Sequence, residues 1–293
     1  MSSNLINLFK DYLEFQDLSK RTIRSYVDTI RDFNIWLIET KDISDLRIIA
    51  FKEIRDYREA LINRYAPASL NQKLCAIKAF YRLLLQRNII TEDPSVTIKI
   101  QKISDNIKSQ YLTRAEELKV ISRAKIEGAK TFCIVMLLLK CGCRPSEISK
   151  LKLNDVVIKG DPTLIIKNSK RNKSRYVPIP ADTVVAINEW LKIRNQSTRI
   201  HHQRSDYFIT SQRAEKMGER AIQRVIEKIA IKENIHLYCT RLRCSYANDL
   251  IKEKIPVNIL ASLMGHENIS TTGRYLTASE HDVRKYVNKI SEI

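Results

Sequence analysis

Between Tyr238 and Tyr275 the sequence places an arginine, Arg243, a histidine, His266, and a tyrosine, Tyr275, on three neighbouring segments. These types together suit a phosphodiester. A guanidinium forks onto two non-bridging oxygens, an imidazole adds a donor, and a phenolic oxygen can attack phosphorus. Taken singly, a tyrosine is more often packing and an arginine a solvated charge, so the meaning of the trio depends on the elements that carry it.

Those elements are legible as helices. Apolar residues near helical spacing over 242–251 predict one short helix, and Pro256, a good first-turn residue, opens a second along the apolar run 257–264. Gly265 then caps that helix and leaves His266 in the following turn, while Ser270 or Thr271 can cap a third helix bearing Tyr275. Upstream, the apolar run 132–139 predicts a buried helix that Gly142 breaks. Arg144 follows, just before a helix started by Pro145 and Ser146 and predicted to run through Leu153. An arginine at such a junction can project from a rigid scaffold; its plain alternative is a helix-end charge. Runs of β type at 163–166 and 176–179 bracket a polar turn and predict a hairpin crowded with Lys167, Lys170, Arg171, Lys173 and Arg175. By itself, that crowding says only that the turn is solvated.

The first hundred residues read as helical. Ser19 is placed to cap a helix through Ile38 whose apolar side is Ile23, Val27, Ile30, Phe33 and Leu37, with Lys20, Arg21, Arg24 and Arg31 opposite. A second helix, from near Ser69 to about Arg87, buries Leu70, Leu74, Ile77, Tyr81 and Leu84 and presents Lys73, Lys78 and Arg82 elsewhere. Asp93-Pro94 ends this region. The expected division is a helical domain over 1–97, a basic linker over 98–111 with Lys99, Lys102 and Lys108, and an α+β domain over 112–293 that opens on a capping box from Thr113 to Glu116. Within it, further helices are expected around Val184 to Leu191 and Ala221 to Ile229, joined by a polar, mostly irregular stretch over 194–205. A helical tail carries Val283, Tyr286, Val287 and Ile290.

With 293 residues the chain is long enough for two cores, and 44% hydrophobic content argues for a folded protein. Its 51 Lys and Arg against 33 Asp and Glu leave a formal charge of +18, which makes nucleic acid the leading partner and an anionic membrane the second. No apolar run approaches a bilayer span and the N-terminus lacks a signal-peptide pattern, so a soluble, cytoplasmic protein is expected. The six cysteines follow neither a disulfide framework nor a zinc-ribbon spacing. A four-thiolate site from Cys141, Cys143, Cys239 and Cys244 is conceivable, but buried free cysteine is the simpler reading.

Several strings resemble the tyrosine recombinases. LMGHENISTTGRY looks like their final motif, a Leu-Gly-His turn before the nucleophilic tyrosine, and TRLRCSYANDLI resembles their His-x-Leu-Arg box. CGCRPSEISKLKLNDV is similar to their first arginine box, KRNKSRYVP to their β-hairpin, and LSKRTIRSY and ASLNQKLCAIKAFYRLL to their helical core-binding domain. The resemblance implies a mostly α fold with a small β component, in which a helical core-binding domain and an α+β catalytic domain clamp duplex DNA. It implies a catalytic set of Arg144, Lys170, Arg243, His266 and Tyr275, with Glu147 orienting the site and Lys173 a second candidate for the lysine. DNA contacts are expected from Lys20, Arg21, Arg24, Lys73, Lys78, Lys99, Lys102, Lys173 and Arg175. The chain departs from the pattern where Thr240 stands in place of the box's histidine, Cys244 follows its arginine, and Arg171 replaces the usual glycine of the turn.

The chemistry so implied is site-specific recombination. Tyr275 attacks a scissile phosphate to give a 3′-phosphotyrosine and a free 5′-hydroxyl, with no water, metal, ATP or other cofactor consumed, and strand exchange proceeds through a Holliday junction in a homotetramer. A chain that begins almost at the core-binding helices resembles the simple Xer and Cre recombinases and the resolvases of transposons and plasmids. Cointegrate or dimer resolution and element integration are the roles in view. Two other readings use the same residues: DNA relaxation of the type IB topoisomerase kind, and a DNA-binding protein of this fold without catalysis, of which Thr240 and Cys244 would be the mark.

Overall fold

The computed structural model describes residues 2–101, 111–168 and 173–265. The chain divides into two compact units, residues 1–104 and 105–293.

The first unit consists of α1 (Ser2–Phe15), α2 (Lys20–Lys41), α3 (Phe51–Ile62) and α4 (Pro67–Gln86). Ser19 caps α2 as its position predicts, its hydroxyl accepting the Thr22 N–H at 3.1 Å. The apolar stripe Ile23, Val27, Ile30, Phe33 and Leu37 is buried and meets Leu70, Leu74, Ile77 and Leu84 of α4 in one core. Phe9 stands edge-on to Phe80 at 5.4 Å, and the buried Tyr81 hydroxyl donates to the Leu46 carbonyl at 3.2 Å. This core extends past Pro94. Ile98 is buried in it, and the Asn71 amide grips the backbone of Gln101 through both its carbonyl and its N–H.

The second unit is built around α6 (Ala129–Leu139), which follows α5 (Arg114–Ile126). Phe132 through Leu139 are all buried, as an all-apolar helix must be. The capping box of α5 forms, with the Glu116 N–H on the Thr113 hydroxyl and the Thr113 N–H on the Glu116 carboxylate. The chain continues through α7 (Pro145–Lys150), an antiparallel sheet of β1 (Val156–Val157), β2 (Thr163–Asn168) and β3 (Lys173–Pro178), and α8 (Ala181–Gln196). It then forms α9 (Ile200–Arg204), α10 (Glu219–Glu233), α11 (Cys239–Lys252) and α12 (Val257–Met264).

The hairpin is present and longer than its apolar runs, pairing Thr163 with Pro178 and Asn168 with Lys173. Strand β1 adds a third member too short to leave a sequence period. Two expectations need correction. Helix α7 stops at Lys150, because Leu151 turns extended to receive the Phe208 N–H at 2.7 Å, and a 3-10 turn follows at Leu153–Asp155. The stretch 194–205 is mostly helical: Arg194 lies in the last turn of α8 with its guanidinium buried on the Ser205 carbonyl at 2.6 Å, and α9 follows.

Candidate active site

Gly142 makes the first turn of the site possible. Its φ of +58° is left-handed, and a Cβ there would stand 2.3 Å from Cδ1 of Tyr246 on α11. The turn therefore lies directly against that ring. Two residues on, Arg144 is the extended N-cap of α7, where its N–H donates to the Glu147 carboxylate at 2.6 Å and Pro145 fills the first helical position.

Arg243 lies one turn into α11 with 6% of its surface exposed. It donates to the carbonyl of Gly142 and to that of Met264 at the end of α12. Burial, and next the charge of Arg144, lower its pKa to about 10, so it remains a cation at neutral pH. Arg144 is more open. It donates to Glu147 at 2.9 Å and to the Gly265 carbonyl at 3.2 Å.

Glu147 ties the arginines together. Burial is the largest influence on its carboxyl and acts to raise the pKa, but hydrogen bonds and charge from Arg175, then Arg144, outweigh it and hold the value at about 2. Arg175 of β3 meets that carboxylate in a two-pronged pair of 2.6 and 2.8 Å and donates through Nε to the Leu263 carbonyl at 3.1 Å. Its guanidinium, expected to contact DNA, is thus committed within the protein, and its side chain is only 15% exposed. Nearby, burial foremost and then Glu147 push the Cys143 thiol up to about 12, so the substituted cysteine adds no charge beside the arginines.

Arg144, Thr240 and Arg243 line a single cleft of about 540 Å³. Thr240 is exposed in the first turn of α11, at the mouth. A wall of the same cleft comes from α10 with Glu219, Arg220, Gln223 and Glu227, where Arg220 pairs with Glu227 at 2.8 Å. Sequence reading overlooked this wall, since Glu219, Gln223 and Glu227 at four-residue intervals look like any solvated helix face. The commitment of Arg175 was equally hidden, because Glu147 lies 28 residues away in sequence.

Lys170, His266 and Tyr275 lie outside the described residues, as does Lys102. Lys173 opens β3. In the first unit Lys20, Arg21, Arg24 and Lys99 are exposed, whereas Lys73 pairs with Asp32 at 3.1 Å and Lys78 donates to the Val96 carbonyl at 3.2 Å. Among the described residues no group of His, Cys, Asp and Glu could hold a metal ion, and the four thiols weighed for one do not form such a group. No described helix is long and apolar enough to cross a membrane.

Residues 110–281 match the phage integrase family, and residues 5–91 match its N-terminal SAM-like domain. The chain belongs to the phage integrase family. It is thus a tyrosine recombinase, and its relatives share nearly its whole length. The tyrosine recombinase XerC of Bacillus subtilis (strain 168) is 26% identical, covering 96% of this chain and 94% of XerC. XerA of Thermococcus kodakarensis is 27% identical over 98% and 95% of the two chains. In three dimensions this recombinase resembles the Tn1549 transposon integrase solved with a circular intermediate DNA, with a TM-score of 0.79, 15% identity and coverage of 97% and 99%.

Proposed function

We propose that this recombinase cuts and rejoins duplex DNA at a specific site through a 3′-phosphotyrosine on Tyr275. The observation that carries this reading is the convergence of Arg144 and Arg243 on one cleft, their side chains fixed by Glu147 and by three backbone carbonyls. Two preorganised cations at that place suit the charge that develops on a pentavalent phosphorane, where one such donor is worth roughly 10²–10³-fold in rate. In the proposed step the phenolic oxygen of Tyr275 forms a bond to phosphorus as the bond to the 5′-oxygen breaks. Lys170 delivers the proton that the departing oxygen needs. His266 assists the attack by accepting the phenolic proton or by stabilising the charge that develops on the phenolic oxygen, with Thr240 donating a hydrogen bond to a phosphate oxygen. Reversal by a new 5′-hydroxyl rejoins the strand without ATP or metal.

In this reading the helical domain over 1–97 and the catalytic domain over 112–293 close on duplex DNA, with the basic segment 98–111 between them. Four copies assemble on paired sites and exchange strands through a Holliday junction, with the C-terminal segment as subunit contact. Resolution of dimers or cointegrates, or integration of an element, is the biological role that suits this chemistry, and the cytoplasm is its setting; similarity to XerC, XerA and a transposon integrase supports the recombination itself. A nicked target-site duplex tests the chemistry. Wild type should leave a covalent protein–DNA adduct, and Tyr275→Phe should bind equally well and leave none. An adduct formed by Tyr275→Phe would sink the assignment.

A further inference from the structure

Three consecutive carbonyls at the end of α12 are each held by a different arginine. Leu263 receives Nε of Arg175 at 3.1 Å, Met264 receives Arg243, and Gly265 receives Nη2 of Arg144 at 3.2 Å. The last carbonyls of a helix lack partners within it and carry the negative end of its dipole, so three cations there are favourably placed. Arg144 and Arg243 are the pair assigned to the phosphate. Arg175 is the third arm, and it alone comes from the hairpin.

Its other contacts decide what it can do. The two-pronged pair with Glu147, at 2.6 and 2.8 Å, fixes the carboxylate that in turn receives both the backbone N–H and a guanidinium N–H of Arg144. A Cβ at Gly265 would come within 2.7 Å of Nη1 of Arg175, so the helix ends in glycine where this guanidinium crosses it. Arg175 has its fork on Glu147 and, unlike Arg144 and Arg243, does not line the cleft, so it is poorly placed to meet a phosphate bound there. Yet it stands two residues from Lys173, on the strand that follows Lys170 in the sequence.

We propose that Arg175 is a positioning residue that locks three parts of the recombination site into one register: the hairpin bearing the catalytic lysine, the Glu147–Arg144 pair, and the end of α12 that leads into His266. It does so without touching DNA. The inference rests on the phosphoryl-transfer reading given above.

The sign of its pH effect follows from Glu147. That carboxyl is held at about 2, so its ionised, Arg144-orienting form persists in acid until the pH falls to that range. Removing Arg175 takes away the foremost influence that lowers the value. The carboxyl then titrates at higher pH, and the acid limb of the cleavage profile moves upward with it.

Single-turnover cleavage of a nicked duplex by full-length Arg175→Gln, Arg175→Lys and Glu147→Gln provides the test, with DNA affinity measured across salt concentrations. At saturating DNA, Arg175→Gln should cleave roughly 10²-fold more slowly, the scale expected when reacting groups shift by about 1 Å. Its affinity and salt slope should match wild type, and its acid limb should shift upward. Arg175→Lys, which keeps the charge but not the fork, should fall between. The double variant with Glu147→Gln should lose less than the product of the single losses, because both act through one pair. A flattened salt slope with an unchanged cleavage rate would make Arg175 a DNA contact and overturn the proposal, as would strictly multiplicative losses. If wild type itself forms no adduct, the recombination reading fails, and the lock is then read by amide exchange in the free protein. Faster exchange at residues 260–265 in Arg175→Gln supports the lock, and unchanged exchange overturns it.

Discussion

At residue scale the open chemical question is Thr240. A threonine hydroxyl is a poor proton acceptor at neutral pH, and its exposed position at the cleft mouth fits a hydrogen bond to phosphate better than proton abstraction. Hydrogen bonds to charged groups contribute about 1.5–3 kcal/mol, so Thr240→Ala should slow cleavage by roughly ten- to a hundredfold. His266→Ala should cost more, since general acid–base catalysis supplies on the order of 10²–10⁴-fold. Thr240→His should be tolerated and at least as fast as wild type. Single-turnover cleavage ranks the three, and a larger loss from Thr240→Ala than from His266→Ala would reverse this assignment. Residues of this kind were legible because their motifs are local: Arg144 and Glu147 lie three apart, and Thr240 and Arg243 likewise. The pairing of Arg175 with Glu147 was hidden for the opposite reason. One of five basic residues from Lys167 to Arg175, this arginine differs only in what the fold brings opposite it.

At the scale of elements, the site depends on two left-handed glycines, Gly142 three residues past the end of α6 and Gly265 capping α12. Gly265, at φ +60°, was legible because a helical apolar run stops there. Gly142 was legible as a break, but the reason for it was not, since Tyr246 lies over a hundred residues away. A Cβ at 142 would meet Cδ1 and Cε1 of Tyr246 at 2.3 and 2.6 Å, and the backbone strain at φ +58° would remain even with that ring removed. Gly142→Ala should therefore destabilise the catalytic unit by about 2–4 kcal/mol, the sum of an unfavourable left-handed alanine and an overpacked contact. Urea unfolding checks this. The loss should shrink when measured in a Tyr246→Ala background, and a loss below about 0.5 kcal/mol in the wild-type background would refute the account. Helix α7 shows the limit of periodicity: residues 145–153 carry a helical pattern, yet the bond from the Phe208 N–H to the Leu151 carbonyl ends the helix early.

At the scale of the whole molecule, the +18 charge is a statement about phosphates only if particular cations are available to them. The structure separates two kinds. Arg24 is 86% exposed and its nearest acid, Asp28, is 3.6 Å away on the same helix, a surface pair of little energetic weight. Lys73 is 16% exposed, pairs with Asp32 at 3.1 Å and sits 4.9 Å over the Tyr65 ring, so its charge already has partners. The proposed DNA complex should therefore lose affinity steeply with salt, the logarithm of the binding constant falling by about 0.9 per neutralised phosphate for each unit in the logarithm of salt. Arg24→Ala should flatten that slope by about 0.9, the share of one phosphate, and Arg21→Ala by a similar amount. Lys73→Ala should leave the slope nearly unchanged, since releasing its ammonium from Asp32 offsets much of what a phosphate would give. Binding isotherms at several salt concentrations decide the matter. An equal flattening from Arg24→Ala and Lys73→Ala would mean that the charge of this face acts as a whole, and that the pairing seen in the free protein does not govern which cations meet DNA.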